Sequence, residues 1–196
     1  MSPAEAARRL ERLRAAIAPA SRRALLVVGG NSTRLLREGY LSGQRLGVRS
    51  GRLRNSTSMQ VTQDADGVTL RVSVGRGDDV RYAAIQEYGG TIRPKRGRFL
   101  AIPVGPAVTP AGLTRGGWES PRTAPAKLRF VPIRGGRMAR LVIDRRNRSE
   151  TAYLLVRSVT IRAKHFMRDT ERAAVAAFPE ALSAQLQTAI RATVGA

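Results

Sequence analysis

Tyr82-Ala83-Ala84-Ile85-Gln86-Glu87-Tyr88-Gly89-Gly90-Thr91-Ile92-Arg93-Pro94, with Phe99-Leu100-Ala101-Ile102-Pro103 close behind, is the stretch on which the fold turns. Ile85 and Tyr88 stand three apart, the spacing of one helix face, and the two glycines that follow stop the helix. Beyond them the chain runs extended and is punctuated by Pro94 and Pro103.

Upstream, Ser2 and Glu5 make a capping box with Pro3 at the first helical position, so a helix starts at the N-terminal end. Leu10, Leu13 and Ile17 form a narrow apolar stripe among Arg8, Arg9, Arg12 and Arg14, until Pro19 interrupts or kinks the pattern. A second helical stretch is expected from Ser21 to Glu38. Basic amphipathic helices can lie on membranes, but a narrow stripe without aromatics favours packing on a protein core. Ser50 to Ser56 then leads into a hairpin, with Asp66-Gly67 as its turn and Val68, Leu70, Val72 and Val74 in strict alternation. Asp64 and Asp66 look like the start of a calcium loop. The sixth position from Asp64 is Thr69 and the twelfth is Gly75, where that loop needs glycine and glutamate, so a hairpin accounts for them better.

Downstream, residues 89–127 carry six of the ten prolines and many glycines. Unstructured loops beyond about 12–15 residues are uncommon in compact domains unless they have a function. The expectation is a long arm that orders against a neighbouring subunit, with Arg93, Lys95, Arg96 and Arg98 beside Phe99 and the single tryptophan, Trp118, further on. Leu128 to Ile133 reads as a strand, Gly135-Gly136 as a tight turn and Arg140 to Ile143 as the returning strand; Pro132 marks a sheet edge. Arg145, Arg146 and Arg148 fall in the next loop. Thr151 to Val156 and Ser158 to Ile161 are apolar strands, and a last helix begins around Met167. There Pro179 restarts a pattern in which Leu182, Leu186, Ile190 and Val194 fall four apart.

The 196 residues, 42% hydrophobic, suffice for one sizeable core, so a single domain spanning 1–196 is expected. The net charge is +21, and with lysine only at Lys95, Lys127 and Lys164, 32 of the 35 basic residues are arginine. Such a surface attracts nucleic acid or acidic protein faces, although a GC-rich coding sequence also raises arginine content. Cysteine is absent, which removes disulfides, thiolate nucleophiles and cysteine metal sites. No run approaches the roughly 18 apolar residues of a membrane span, and Glu5 and Glu11 stand among arginines where a signal peptide needs an apolar stretch. A soluble protein made in the cytoplasm, with no membrane partner, is expected.

The inventory for catalysis is poor. His165 is the only histidine, and its place before the last helix beside Phe166 suits a structural junction. Asp78 and Asp79 are explained by a turn, and 14 acidic residues scattered among arginines do not suggest a two-metal nuclease. The glycine pairs open neither a phosphate loop nor a dinucleotide fingerprint. No catalytic residue, metal or cofactor is therefore assigned. Arginine clusters at 93–98, 134–140 and 145–148 fit phosphate contact better. With 5% aromatics and no recognition-helix motif, any DNA binding is to the backbone and indifferent to sequence.

Three blocks together resemble the tailed-phage virion-morphogenesis proteins, the neck, tail-completion and minor tail subunits of head–tail joining. They are Gly51-Arg52-Leu53-Arg54-Asn55-Ser56; the tyrosine-glutamate-glycine block at Tyr82 to Gly90; and Tyr153-Leu154-Leu155-Val156-Arg157-Ser158-Val159-Thr160-Ile161 leading to His165-Phe166-Met167. In that family the last block usually carries prolines before its phenylalanine; here Arg162 and Lys164-His165 stand in their place. The resemblance implies an α+β subunit, helices packed on a mainly antiparallel sheet, that assembles as a ring of six between head connector and tail tube or terminator proteins. The element order read from the residues is the same. It further implies a non-enzymatic protein of the virion, made in the host cytoplasm. Tyr82, Ile85, Glu87, Tyr88, Phe99 and Trp118 are then the expected subunit or partner contacts. Arg93, Lys95, Arg96, Arg98, Arg134, Arg137, Arg145 and Arg146 are expected to meet acidic partners or, second, double-stranded DNA. The alternative is a sequence-independent DNA-binding protein that acts alone.

Overall fold

The structure, a computed structural model, describes residues 2–43, 46, 51–65, 67–75, 78–95, 97–133, 138–145 and 148–194. Asp66 of the hairpin turn and the Gly135-Gly136 turn lie outside them. The fold is α+β: long helices at both ends of the sequence and antiparallel strands between them. The chain divides into two compact units, Met1–Glu87 with Lys164–Ala196, and Tyr88–Ala163.

In the first unit, α1 (Pro3–Arg34) opens with the expected capping box: Ser2 Oγ accepts the Glu5 amide at 3.2 Å and the Ser2 amide donates to Glu5 Oε2 at 2.7 Å. Pro19 does not interrupt it. Pro19 and Ala15, whose carbonyl loses its helical partner, are both exposed, so the missing hydrogen bond falls on a turn open to water, where it costs least. The helix ends in a π-helical turn, Leu35–Tyr40, instead of continuing regularly to Glu38. A single turn, α2 (Arg52–Asn55), precedes the hairpin of β1 (Ser58–Asp64) and β2 (Gly67–Ser73). In β2, half-buried Val68, Leu70 and Val72 alternate with exposed Thr69 and Arg71, as the sequence pattern predicts. The hairpin packs on α1 at Gly29, where a Cβ would stand 2.7 Å from Leu70 Cδ1 and 2.9 Å from the Met59 sulfur.

Next come α3 (Asp78–Tyr88), which begins at the two aspartates read as a turn, and, after the second unit, α4 (Phe166–Val194). α4 lies along α1 and runs through exposed Pro179 without a break, for the reason given at Pro19. Leu36, Leu41, Leu46 and Phe166 form the core here, with Leu53, Val72, Val74 and Met167 packed around them.

The second unit holds β3 (Gly90–Ile92), β4 (Leu100–Pro103), β5 (Arg129–Pro132), β6 (Met138–Arg145), β7 (Arg148–Val156) and β8 (Val159–Ile161). β3 pairs with β8, and the others form a four-stranded sheet in the order β4-β7-β6-β5. β5 is an edge strand, as Pro132 requires. The segment 89–127 does not stand off as an arm. It contributes β3, β4 and a 3₁₀ turn (Gly105–Ala107), and then folds back so that Ala107 and Trp118 pack on Ile143, Ala152 and Tyr153. Trp118 is only 9% exposed, and its carbonyl accepts the buried Tyr153 hydroxyl at 2.9 Å. A large indole gains more from its own sheet than from solvent, and the proline-rich backbone supplies turns rather than reach.

Candidate functional site

The end of α3 is where the opening motif does its physical work. Glu87 is 3% exposed, and its carboxylate reaches across sequence to the first turn of α4. Oε2 accepts the Met167 amide at 2.8 Å and Oε1 accepts the Arg168 amide at 3.0 Å. Those amides have no partner within the helix, and the positive end of the helix dipole favours a carboxylate there. The main chain adds two further bonds, from the Lys164 amide to the Gln86 carbonyl at 2.8 Å and from the His165 amide to the Glu87 carbonyl at 3.2 Å. His165, directly before α4, has φ +52°, while its carbonyl accepts the Asp169 amide at 3.0 Å. The chain therefore starts its last helix from a left-handed histidine whose amide is held by the main-chain carbonyl of the buried Glu87.

Gly89 follows with φ +72°, and a Cβ there would lie 2.8 Å from the Ala163 amide nitrogen and 2.9 Å from the Ile161 carbonyl oxygen. Only glycine fits this passage of two chain segments. The Gly51–Ser56 block has a similar use. Ser56 Oγ donates to the Leu53 carbonyl at 2.7 Å and accepts the Gly75 amide at 2.9 Å, fastening α2 to the segment after β2.

The other expected contacts are dispersed. Tyr88 is 77% and Tyr82 47% exposed, Ile85 is half-buried, and Trp118 is inside its own unit rather than at a surface. Phe99 is half-buried with the Arg98 guanidinium 5.6 Å from its ring centroid. Arg93, Lys95 and Arg98 are exposed between β3 and β4. Arg145 ends β6; Arg96, Arg134, Arg137 and Arg146 lie outside the described residues.

One basic residue that sequence reasoning passed over is already matched. Arg129 on β5 grips Asp144 on β6 with both ends of its fork, Nε to Oδ2 at 2.6 Å and Nη2 to Oδ1 at 2.9 Å, and Ser149 donates to Oδ1 at 2.6 Å. The bond from Arg129, then that from Ser149, holds the Asp144 carboxyl well below the usual carboxylate range. Burial, and next the charge of Glu119, pushes the Tyr153 phenol up. Another neglected feature is the exposure of Leu10 and Ile17 near the start of α1; the narrow stripe among arginines was its only trace in the sequence.

Among the described residues, no three of histidine, cysteine, aspartate and glutamate gather as a metal centre needs. No described helix is long and apolar enough to cross a membrane. Comparison of the chain with protein-family models, curated proteins and solved structures finds no match.

Proposed function

We propose that this chain is a structural virion subunit of a tailed phage, in a ring at the neck or the head-proximal end of the tail that joins or completes the two and lets DNA pass. One observation carries the reading. The residues that bear the resemblance are the ones that fix the chain's joints: Ser56 ties the hairpin's end, Glu87 caps α4, and Gly89 admits the close passage beside residues 161–163. A likeness seated at such positions is one of architecture, and architecture is what a joining protein contributes. The Glu87 carboxylate is engaged by backbone amides, which suits a fixed joint rather than an acid or base that must exchange protons. Exposed Tyr88 and the open-edged β5 with exposed Phe130 offer contacts to neighbouring subunits. A head-to-tail contact between copies closes into a ring, in this reading of six, when its rotation permits.

Peptide mass spectrometry of density-purified particles tests the proposal. The chain should be present at a few copies per virion; its absence from infectious particles would exclude the role. The second reading, a sequence-independent DNA-binding protein, is favoured by the exposed arginines of α1 and of the β3–β4 segment. Salt separates the two: neutralising about 6–10 phosphates loses about 10³–10⁵ in affinity between about 50 and 200 mM salt, whereas an apolar subunit interface persists.

A further inference from the structure

The positive charge is unevenly shared. Residues 88–163, the second unit, hold 16 basic residues and 3 acidic ones, whereas the first unit holds 19 and 11. None of the three carboxylates is idle: Asp144 is gripped by Arg129 and Ser149, Glu119 Oε1 accepts the Gly117 amide at 3.1 Å, and Glu150 is half-buried and engaged. Strand register gathers one group of the cations. Ile92 pairs with Val159 and Leu100 with Val156, so residues 93–99 leave and return beside a single short stretch, 156–159. Arg93, Lys95 and Arg98 on that segment are exposed, as are Arg157 and Ser158 between its feet. Next to them, Thr91 on β3 and Thr160 on β8 are exposed with their hydroxyls 3.1 Å apart. Asp144 and Glu150 sit six residues along β6 and β7 from the Met138–Val156 pair, about 20 Å away. Glu119, whose charge reaches the Tyr153 phenol, belongs to the packed stretch around Trp118.

We infer that the 93–99 segment, with the Thr91–Thr160 pair beside it, holds the phosphate backbone of duplex DNA; this deepens the passage of DNA in the joining role proposed above and rests on that reading. The exposed groups select the occupant. Cations and small hydroxyls are the donors that phosphate oxygens take, and a duplex presents about one negative charge per 1.7 Å of its axis. An acidic protein calls for an apolar centre as well, and the segment turns none outward. Phe99 is half-buried with the Arg98 guanidinium 5.6 Å from its ring centroid, and Pro94 is half-buried. Ile92, 38% exposed, alternates to the face of β3 opposite Thr91. A single strand calls for exposed aromatics on which its bases stack. Among the described residues of this unit those are Tyr88 and Phe130, which stand before β3 and on the edge strand β5, away from the segment. A second copy of this chain brings the same excess of positive charge, which opposes contact here.

The test titrates the full-length protein with a short duplex in two unrelated sequences, between about 50 and 200 mM salt, and separately with a single strand of the same length and with poly-glutamate. Arg93→Gln/Lys95→Gln removes two cations and leaves Arg98 over Phe99. It should weaken binding to both duplexes alike, by about tenfold or more at the low-salt end, and lower the slope of log affinity against log salt by about two. Its melting temperature should be that of wild type. Arg12→Gln/Arg14→Gln takes the same charge from exposed positions of α1 beside Glu11, and should leave the slope as it was. Equal losses from the two pairs overturn the inference, because net charge alone would then account for binding. So do failure of the wild type to bind duplex at low salt, an unchanged slope in Arg93→Gln/Lys95→Gln, or tighter binding of the single strand. Poly-glutamate binding that matches the duplex and falls with the same variant would make an acidic protein the occupant, and a lowered melting temperature would assign the two residues to the fold; either overturns it. Absence of the chain from purified virions removes the joining role whatever these affinities are, and an unchanged slope in a chain that is present there removes only this surface.

Discussion

Replacing Glu87 by glutamine changes one atom and should disconnect the start of α4. The amide keeps one oxygen, which can still accept from either the Met167 or the Arg168 amide, but it turns an NH₂ toward the other, donor against donor. A hydrogen bond to a charged group contributes about 1.5–3 kcal/mol, and the helix dipole adds about 0.3–1 kcal/mol for a carboxylate in the first turn. Against this, a neutral amide is cheaper to bury than a carboxylate, so part of the loss is returned at a site only 3% exposed. The net expectation is a destabilisation of about 2–3 kcal/mol, or about 4–12 °C in melting temperature for a chain of this size. Urea unfolding followed by circular dichroism gives the total. Amide hydrogen exchange gives the location: the Met167 and Arg168 amides should exchange faster, while protection around Tyr153 and Trp118 stays as it was. A variant within about 0.5 kcal/mol of wild type, the usual range for an inconsequential surface change, or with unchanged exchange at those two amides, refutes the assignment of Glu87 as the cap of α4.

Two glycines should respond in opposite directions. Gly89→Ala combines a left-handed residue, at about 1–2 kcal/mol, with the approach to the 161–163 backbone, and should yield little folded protein in expression and thermal melts. Gly30→Ala, in α1 with open space around it, should raise stability by about 1 kcal/mol. Tyr153→Phe leaves the Trp118 carbonyl without its buried donor and should cost about 1–2 kcal/mol by denaturant titration; a neutral result means another donor takes its place. For Asp144, whose folded pKa is depressed, the stabilisation is present above its unfolded value of about 3.9 and is lost as pH falls through the folded one. The melting-temperature advantage of wild type over Asp144→Asn should therefore be visible near neutrality and shrink below about pH 4, and it should be small throughout because the pair with Arg129 is exposed.

What was legible in the sequence was local. The capping box at Ser2 and Glu5, the alternation from Val68 to Val72 and the edge proline Pro132 each act through neighbours a few residues away, so their signals sit in one window. Pro19 misled because a proline's cost depends on whether its turn of the packed helix is exposed, a property of the fold rather than of the string; the last helix, expected to contain Pro179, does so. Trp118 misled for a related reason. A tryptophan in a proline- and glycine-rich stretch has no periodicity to mark it as core, and its partner Tyr153 is 35 residues away. Glu87 could be singled out from the motif around it, but its role could not be read, since the amides it caps lie 80 and 81 residues further on. The exposure of Leu10 and Ile17 left only a faint trace in sequence for the converse reason: a stripe of leucine and isoleucine reads as buried until the elements packed beside it are known.

Deleting the gene from its phage or prophage and imaging the lysate by electron microscopy tests the joining role most directly. The account predicts DNA-filled heads accumulating apart from tails, restored to whole particles by the wild-type gene supplied in trans. Normal, infectious particles from the deletion would contradict it and would turn attention to DNA binding.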